Sequence, residues 1–170
     1  MTSPTDDLVF ACMDLDLPAL RAALDAGAAV NAPDHERRRP VFHVLYDGAD
    51  ERSGRSPEQR EQDRATALTM LLEHGARLDR KDPKGLTAYE RITERYPLCA
   101  QAYLRHVGPD RGLATAQRHL SPGLSALNDN AAELAGWWAH QAAVVSAERL
   151  SETLATPKPE PSPSSRAPRL

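Results

Sequence analysis

A nine-residue phrase occurs twice in this chain. Residues 23–31 read Ala-Leu-Asp-Ala-Gly-Ala-Ala-Val-Asn, and residues 71–79 read Leu-Leu-Glu-His-Gly-Ala-Arg-Leu-Asp. Each copy joins the apolar end of a predicted helix to Gly-Ala, an apolar residue and a short polar turn residue. Gly27 and Gly75 are placed where a left-handed residue ends a helix at little steric cost. A recurring helix-to-loop junction indicates copies of one supersecondary unit, an architecture that usually binds other molecules rather than transforming them.

The distance between the two copies predicts an insertion. Gly27 and Gly75 are 48 residues apart, whereas a plain helix-pair repeat would use about 33. After a polar loop over residues 47–55, Ser56, Pro57 and Gln59 form a predicted helix start with a capping box. The second helix of this unit is therefore expected over 57–74. Residues 59–64 are polar on every side, so we expect a solvated extension, with a partner-specific lever as the alternative.

Composition favours helices. Apolar residues make up 41% of the chain and aromatic residues only 5%, so the core must consist mainly of Ala, Leu and Val, which suits helix-on-helix packing. The formal net charge of −3 excludes a strong general attraction to nucleic acids or membranes. The excess of Arg over Lys and the many Ala residues indicate a GC-rich bacterial gene. With no signal peptide and no apolar run of about 20 residues, we expect a cytoplasmic protein.

The remaining helices are predicted from apolar spacing and caps. Asp16 is expected to cap a helix that carries Pro18 in its first turn. Other helices are expected over 7–14, 40–46, 88–95 and 98–106. Residues 107–128 are expected to be a connecting segment with one possible helix, over 113–120, stopped by Ser121-Pro122-Gly123. A helix capped by Asn130 is expected within 129–156, and the Pro- and Ser-rich residues 157–170 are expected to be a disordered tail.

The predicted C-terminal helix has two apolar faces. One carries Leu134, Trp137, Trp138, Val144 and Val145. A short array of repeats needs its ends covered, so we expect this face to form a lid, without which a chain ending at His106 should not fold. The opposite face is expected to be a helix edge partly covered by residues 110–128, or, alternatively, a surface for weak self-association or a partner. That face carries Ala132, Ala139, Ala143, Ala147, Leu150 and Leu154.

Residues 71–79, followed by Asp82-Pro83-Lys84-Gly85-Leu86-Thr87, resemble ankyrin repeats. Further matches are Ala11-Cys12 and the stretch from Asn31-Ala32-Pro33-Asp34 to Pro40. The resemblance covers residues 6–106 as units 6–33, 34–78 with an insertion near 47–62, and 79–106. It implies an all-α fold, a short ankyrin-type helix-pair solenoid with hairpin loops, capped by the C-terminal helix. It also implies protein binding through the hairpin fingers and inner helices, and it brings no catalytic residue or cofactor.

The chain departs from the ankyrin pattern at several positions. The family His is replaced by Phe42 and Glu90, which puts in question the hydrogen bonds that this His makes between neighbouring loops. Arg37 stands where the hairpin glycine, present as Gly85, would be. The third unit lacks the closing Gly-Ala phrase. We therefore expect degenerate repeats, with Gly27, Gly75, Gly85, Trp137 and Trp138 in structural roles.

Motifs for catalysis or metal binding are not found in the sequence. The six His have no recognised metal-ligand spacing, and there is no Gly-rich phosphate loop or nucleophile elbow. Cys12 and Cys99 lie in apolar helical stretches and are expected to be buried free thiols of a reduced compartment. The sequence therefore predicts a protein that is not an enzyme and has no metal or cofactor.

Six cations are expected along one edge of the molecule. They are Arg37, Arg38 and Arg39 on one hairpin and Arg80, Lys81 and Lys84 on the next. Asp34, Glu36, Asp79 and Asp82 reduce their net charge to about +2. The loops are either simply solvated or form a docking strip for an acidic protein surface, with Phe42 and Tyr46 as apolar anchors. Nucleic acid is not expected, because no aromatic residue is interleaved among the cations.

The sequence therefore predicts a non-catalytic protein–protein interaction module whose partner is an unidentified protein. Two alternatives stay open. One is an immunity or antitoxin-like inhibitor of a bacterial toxin, which a neighbouring toxin gene would indicate. The other is a secreted effector or scaffold whose Pro- and Ser-rich tail serves as an export or recruitment signal.

Overall fold

Residues 3–46, 54–93, 95–124 and 131–155 are described by the computed structural model, with backbone alone for 121–124 and 131. They form eight α-helices, and the only β-type pairing among them is an isolated bridge between Lys81 and Thr87. The all-α prediction is confirmed for this part of the chain. None of the described helices is long and apolar enough to cross a membrane. The helices are α1 Pro4–Asp14, α2 Leu17–Asp25, α3 Pro40–Val44, α4 Pro57–Glu73, α5 Ala88–Ile92, α6 Pro97–Val107, α7 Pro109–Leu124 and α8 Ala131–Ala155.

Side-chain caps set the starts of several helices. Ser3, Asp16, Ser56 and Thr87 each accept a hydrogen bond from a backbone N–H in the first turn of the helix that follows. These bonds satisfy donors that have no partner within the helix. The predicted capping box at Ser56 is wrong in one respect, because the Gln59 amide donates to the Asp63 carboxylate at 3.0 Å instead of turning back to the cap.

The helices pack in consecutive pairs. Within each pair α1 contacts α2, α3 contacts α4, α5 contacts α6 and α7 contacts α8. The second helices form a continuous row in which α2 contacts α4, α4 contacts α6 and α6 contacts α8. Among the first helices, α1 contacts α3 and α5 contacts α7. The core follows these rows and is built mainly from Leu, Ala and Val, as the composition predicts.

An aromatic cluster joins α8 to α5 and α6. The Trp138 ring is fully buried, and its centroid lies 6.2 Å from that of Tyr89 and 6.1 Å from that of Tyr103. Its indole N–H donates to the Thr93 hydroxyl at 3.0 Å. Trp137 is only half-buried. The predicted apolar face of this helix is thus largely confirmed, and the face expected on its opposite side is exposed.

The expectation of a connecting segment over 107–128 is wrong for its described part. Helix α7 begins directly after Gly108 and continues through 121–123, where a stop was expected. Its buried Ala116 and Leu120 hold it against the core, and packing of this kind outweighs local helix breakers. A Cβ on Gly112 would lie 2.7 Å from a Leu104 side-chain carbon, so glycine permits the close approach of α7 to α6. Residues 47–53, Asn130 and the predicted tail lie outside the described residues.

The N-terminal part of α4 is a solvated extension only in part: Gln59 and Gln62 are exposed as expected, but Asp63 and Arg64 are buried. Arg64 is 2% exposed, and its guanidinium donates to the backbone carbonyls of Val44 and Tyr46 while lying 4.9 Å from the centroid of the Tyr96 ring. The Glu61 carboxylate accepts the Leu98 N–H at 3.0 Å. Because buried polar groups need partners, these contacts fix the end of α3 and the start of α6 to α4.

Candidate functional site

Two hairpin loops with the same backbone design lie between the helix pairs. We call residues 31–39 the first hairpin and residues 79–87 the second hairpin. In the first, the Asp34 Oδ1 atom accepts the N–H groups of Glu36 and Arg38, both at 2.8 Å. In the second, Asp82 Oδ1 accepts those of Lys84 at 2.8 Å and Leu86 at 2.9 Å. An aspartate that binds the backbone N–H two residues ahead is a standard device for closing a turn.

The second carboxylate oxygen of each aspartate binds a side chain of the following helix. Asp34 Oδ2 lies 2.7 Å from His43 Nε2, and Asp82 Oδ2 accepts from Arg91. Both aspartate side chains are 7% exposed. Burial raises the pKa of each, but hydrogen bonds from the backbone and from His43 or Arg91 outweigh it and hold each pKa below its ordinary value. Both carboxylates are therefore ionised at neutral pH and held within their own loops.

The backbone confirms that Arg37 occupies the place of a hairpin glycine. The φ angle of Arg37 is +63° and that of Gly85 is +81°. Gly27 and Gly75 both have φ of +82° at the helix ends that precede the hairpins. A left-handed conformation is costly for a residue with a Cβ atom, so Arg37 carries a strain that Gly85 does not.

The two hairpins are neighbours, as predicted, and Asn31 links the base of the first to the segment that leads into the second. Its amide nitrogen donates to the Gly75 carbonyl, and its amide oxygen accepts the Arg77 N–H, both at 2.9 Å. From the sequence, Asn31 is predicted only as a turn residue. The signal that could have identified it is its side chain, which has both a donor and an acceptor and follows a repeated Gly-Ala phrase.

The acidic residues of the hairpins are all engaged in pairs. Besides the two buried aspartates, Glu36 pairs with Arg38 and Asp79 with Arg77, each at 2.8 Å. Hydrogen bonding to Arg77 holds the pKa of Asp79 below its ordinary value. We call the six predicted cations the basic edge. Five of them form no ion pair with any described residue, namely Arg37, Arg39, Arg80, Lys81 and Lys84. Two of the acids pair with Arg77 and Arg91, which are not among the six cations. The edge is therefore more positive than the net charge of about +2 counted for its loops.

A cleft of about 120 Å³ lies between the hairpins and is lined in part by Arg38, Phe42, Tyr46 and Lys84. Phe42 is only 5% exposed, so it lines the cleft from within and does not project from the surface as expected; every residue of α3 is buried. Tyr46 is 54% exposed, and the Arg38 guanidinium lies 5.5 Å from the centroid of its ring. The cleft thus combines apolar surface with a cationic rim.

The two cysteines are buried and free. Burial raises the pKa of each thiol to about 12, so neither is an activated nucleophile at neutral pH. Within the described ranges, no group of three or more His, Cys, Asp or Glu side chains is arranged to hold a metal ion. The basic edge and the cleft beside it are therefore the candidate site.

Compared with models of known protein families the chain matches none, and no curated protein sequence matches it significantly.

Proposed function

We propose that this chain is a non-catalytic protein-binding module of degenerate ankyrin type, and that its basic edge docks on an acidic surface of a partner protein. The carrying observation is the pairing of all four hairpin acids. Asp34 and Asp82 are buried and bonded to backbone groups of their own loops, and Glu36 and Asp79 have cationic partners. The five unpaired cations, of which all but the half-buried Arg39 are exposed, therefore have little local compensation.

Three observations support the ankyrin-type arrangement. The hairpins repeat the same hydrogen bonds at positions 48 residues apart. The second helices form one row from α2 to α8, so the pair α7–α8 extends the array and covers its C-terminal end. Asn31 links the base of the first hairpin to the segment that leads into the second. Such an arrangement presents its loops side by side as one extended binding surface.

A carboxylate-rich protein surface suits this edge better than nucleic acid. Arg guanidinium groups form bidentate pairs with carboxylates, and clustered positive charge accelerates the encounter with an acidic partner. The edge has Tyr46 beside it and no series of aromatic rings on which successive bases could stack.

The proposal is tested by charge reversal. The double variant Arg80→Glu, Lys81→Glu reverses two exposed cations of the basic edge outside the cleft. The matched control, Arg21→Glu with Arg118→Glu, reverses two exposed cations on α2 and α7. Each protein is used as bait in an extract of the source cells, and captured proteins are quantified by mass spectrometry at low and high salt.

We expect at least one acidic protein to be enriched by the unchanged chain and by the control, and lost with the edge variant or at high salt. Thermal unfolding should be the same for all three baits, because the replaced side chains are exposed. Capture of the same proteins, in the same amounts, by the edge variant would contradict the proposal.

A further inference from the structure

We propose that the cleft between the hairpins is a specificity pocket, which takes one aliphatic side chain adjacent to a carboxylate in a segment of the partner protein. This inference rests on the proposed function and adds the chemistry of the segment recognised. It assigns the selectivity of binding to the cleft and the long-range attraction to the rest of the basic edge.

The size and lining of the cleft favour an aliphatic side chain. Phe42 and Leu45 are each 5% exposed and form its floor, and Pro83 contributes an apolar wall from the second hairpin. The volume is about 120 Å³. An apolar cavity of about 150 Å³ holds benzene, so this cleft has room for one side chain of the size of Leu or Val.

The rim of the cleft favours a carboxylate next to that side chain. Arg38 and Lys84 come from different hairpins and both line the cleft. Lys84 makes no ion pair with a described residue, and the pair between Arg38 and Glu36 is exposed, so a carboxylate of the partner can compete for the guanidinium. The carboxylate of Asp82 does not oppose an incoming anion, because Arg91 neutralises it.

The walls of the cleft are fixed before binding. Asn31 links the first hairpin to the segment that leads into the second. Asp34 and Asp82 close the two loops, and Arg64 donates to the backbone carbonyl of Tyr46. A preformed site loses less conformational entropy when a ligand binds. The pocket can therefore discriminate between segments that the basic edge alone would attract equally.

The test uses short peptides with the ¹⁵N-labelled full chain. The probe is acetyl-Gly-Ser-Glu-Leu-Glu-Ser-Gly-amide. Two matched peptides replace either both glutamates by glutamine or the leucine by glycine. Titrations followed by amide chemical shifts give the location and the Kd of binding for the unchanged chain, for Tyr46→Ala and Lys84→Glu, and for the edge variant Arg80→Glu, Lys81→Glu.

For the unchanged chain, we expect the largest shift changes at Leu45, Tyr46 and Lys84. Each matched peptide should bind about tenfold more weakly or worse, and Tyr46→Ala and Lys84→Glu should weaken the probe similarly. The edge variant should change the Kd by less than about threefold, since it leaves the cleft intact.

Equal affinity for the glycine peptide, shifts spread along the basic edge, or no binding at millimolar probe would overturn the pocket. None of these results would contradict the proposed function. The capture experiment tests that function through Arg80 and Lys81, which lie outside the cleft. Loss of capture with the edge variant, combined with equal affinity for the probe and the glycine peptide, would leave the basic edge as the docking surface and reject the pocket alone.

Discussion

His43 and Arg91 occupy equivalent positions on the helices that follow two successive hairpins, and each binds the aspartate that lies nine residues before it. An imidazole in one case and a guanidinium in the other thus bind the aspartate that closes the loop. The aspartate is the common element, because its other oxygen accepts two backbone N–H groups in both hairpins. The free energy of unfolding should therefore depend on the ionisation of these two carboxylates.

Acidification should destabilise the protein through the hairpin aspartates. The pKa values of Asp34, Asp79 and Asp82 lie below the ordinary value of about 4 that applies in the unfolded chain. Their stabilisation is fully present above about pH 5 and is lost as the pH falls through the lower folded-state values. Urea midpoints measured from pH 7 to pH 2.5 should decline in this range.

The variant Asp82→Asn isolates one of these contributions. Because it removes the charge that Arg91 binds, it should lower the free energy of unfolding by about 2 kcal/mol at neutral pH and reduce the slope of stability below about pH 4. Asp25→Asn, at an exposed site on α2, is the control and should leave both unchanged. An undiminished acid slope in Asp82→Asn would be inconsistent with the role assigned to this carboxylate.

Exchanging residues at the left-handed hairpin positions should change stability in opposite directions. Arg37→Gly relieves a positive φ and should stabilise the protein by about 0.5–1 kcal/mol, after allowance for the greater freedom of glycine in the unfolded chain. Gly85→Arg should destabilise by a similar amount, purely through the backbone, because a Cβ there would meet no atom within 4 Å.

The measurement is chemical denaturation of both variants, with Arg118→Gly as the control. In the middle of α7, glycine should destabilise by about 1 kcal/mol relative to a good helix former. If Arg37→Gly destabilised as Arg118→Gly does, the strain assigned to Arg37 would be absent.

The hydrogen bond between Trp138 and Thr93 should couple α8 to the end of α5. Thr93→Val leaves the buried indole N–H without its acceptor and should cost about 1–3 kcal/mol. Trp138→Phe should cost about 2 kcal/mol, since it removes both the bond and part of the buried ring. In a double-mutant cycle, Thr93→Val should cost less when Trp138 is already replaced. The control is Trp137→Phe, at the half-buried neighbour, which should cost less than about 1 kcal/mol. Additive costs of Thr93→Val and Trp138→Phe in the cycle would contradict the coupling.

The two thiols should be unreactive in the folded protein. With pKa values near 12, Cys12 and Cys99 are almost entirely protonated at about pH 8 and are also shielded by the core. A thiol-specific disulfide reagent should modify neither within minutes in buffer, and both immediately in concentrated urea. Rapid modification of one thiol in buffer would show that it is accessible and would reopen a catalytic role for it.

The parts of the fold that local chemistry determines could be predicted from the sequence. Ser56, Gly27 and Gly75 act through caps and left-handed turns, whose cause lies within a few residues of the chain. The extent of α7 could not be predicted, because Pro122 and Gly123 are local stop signals whereas the packing of Leu120 depends on distant helices. Tertiary contacts outweighed the local preference there.

The candidate site was predictable in its charges but not in its geometry. The positions of Arg80 and Lys84 on a hairpin followed from turn residues. Apolar periodicity could not show that Arg64 would be buried, since a long cationic side chain packs in a core once carbonyl groups and an aromatic ring receive it. Nor could it show that Phe42 lies on a helix with no exposed face, because that depends on which elements surround α3.

In each hairpin, one aspartate accepts hydrogen bonds from two backbone N–H groups of the loop. It also binds one side chain of the helix that follows. The residues between this aspartate and the following helix can therefore be exchanged together without disturbing the packing of the helices. Grafting the residues between Asp82 and Thr87 into the place of those between Asp34 and Arg39 would carry glycine to the left-handed position and different side chains to the surface. The same independence would let the surface residues of the hairpins vary while the helices beneath them keep their packing.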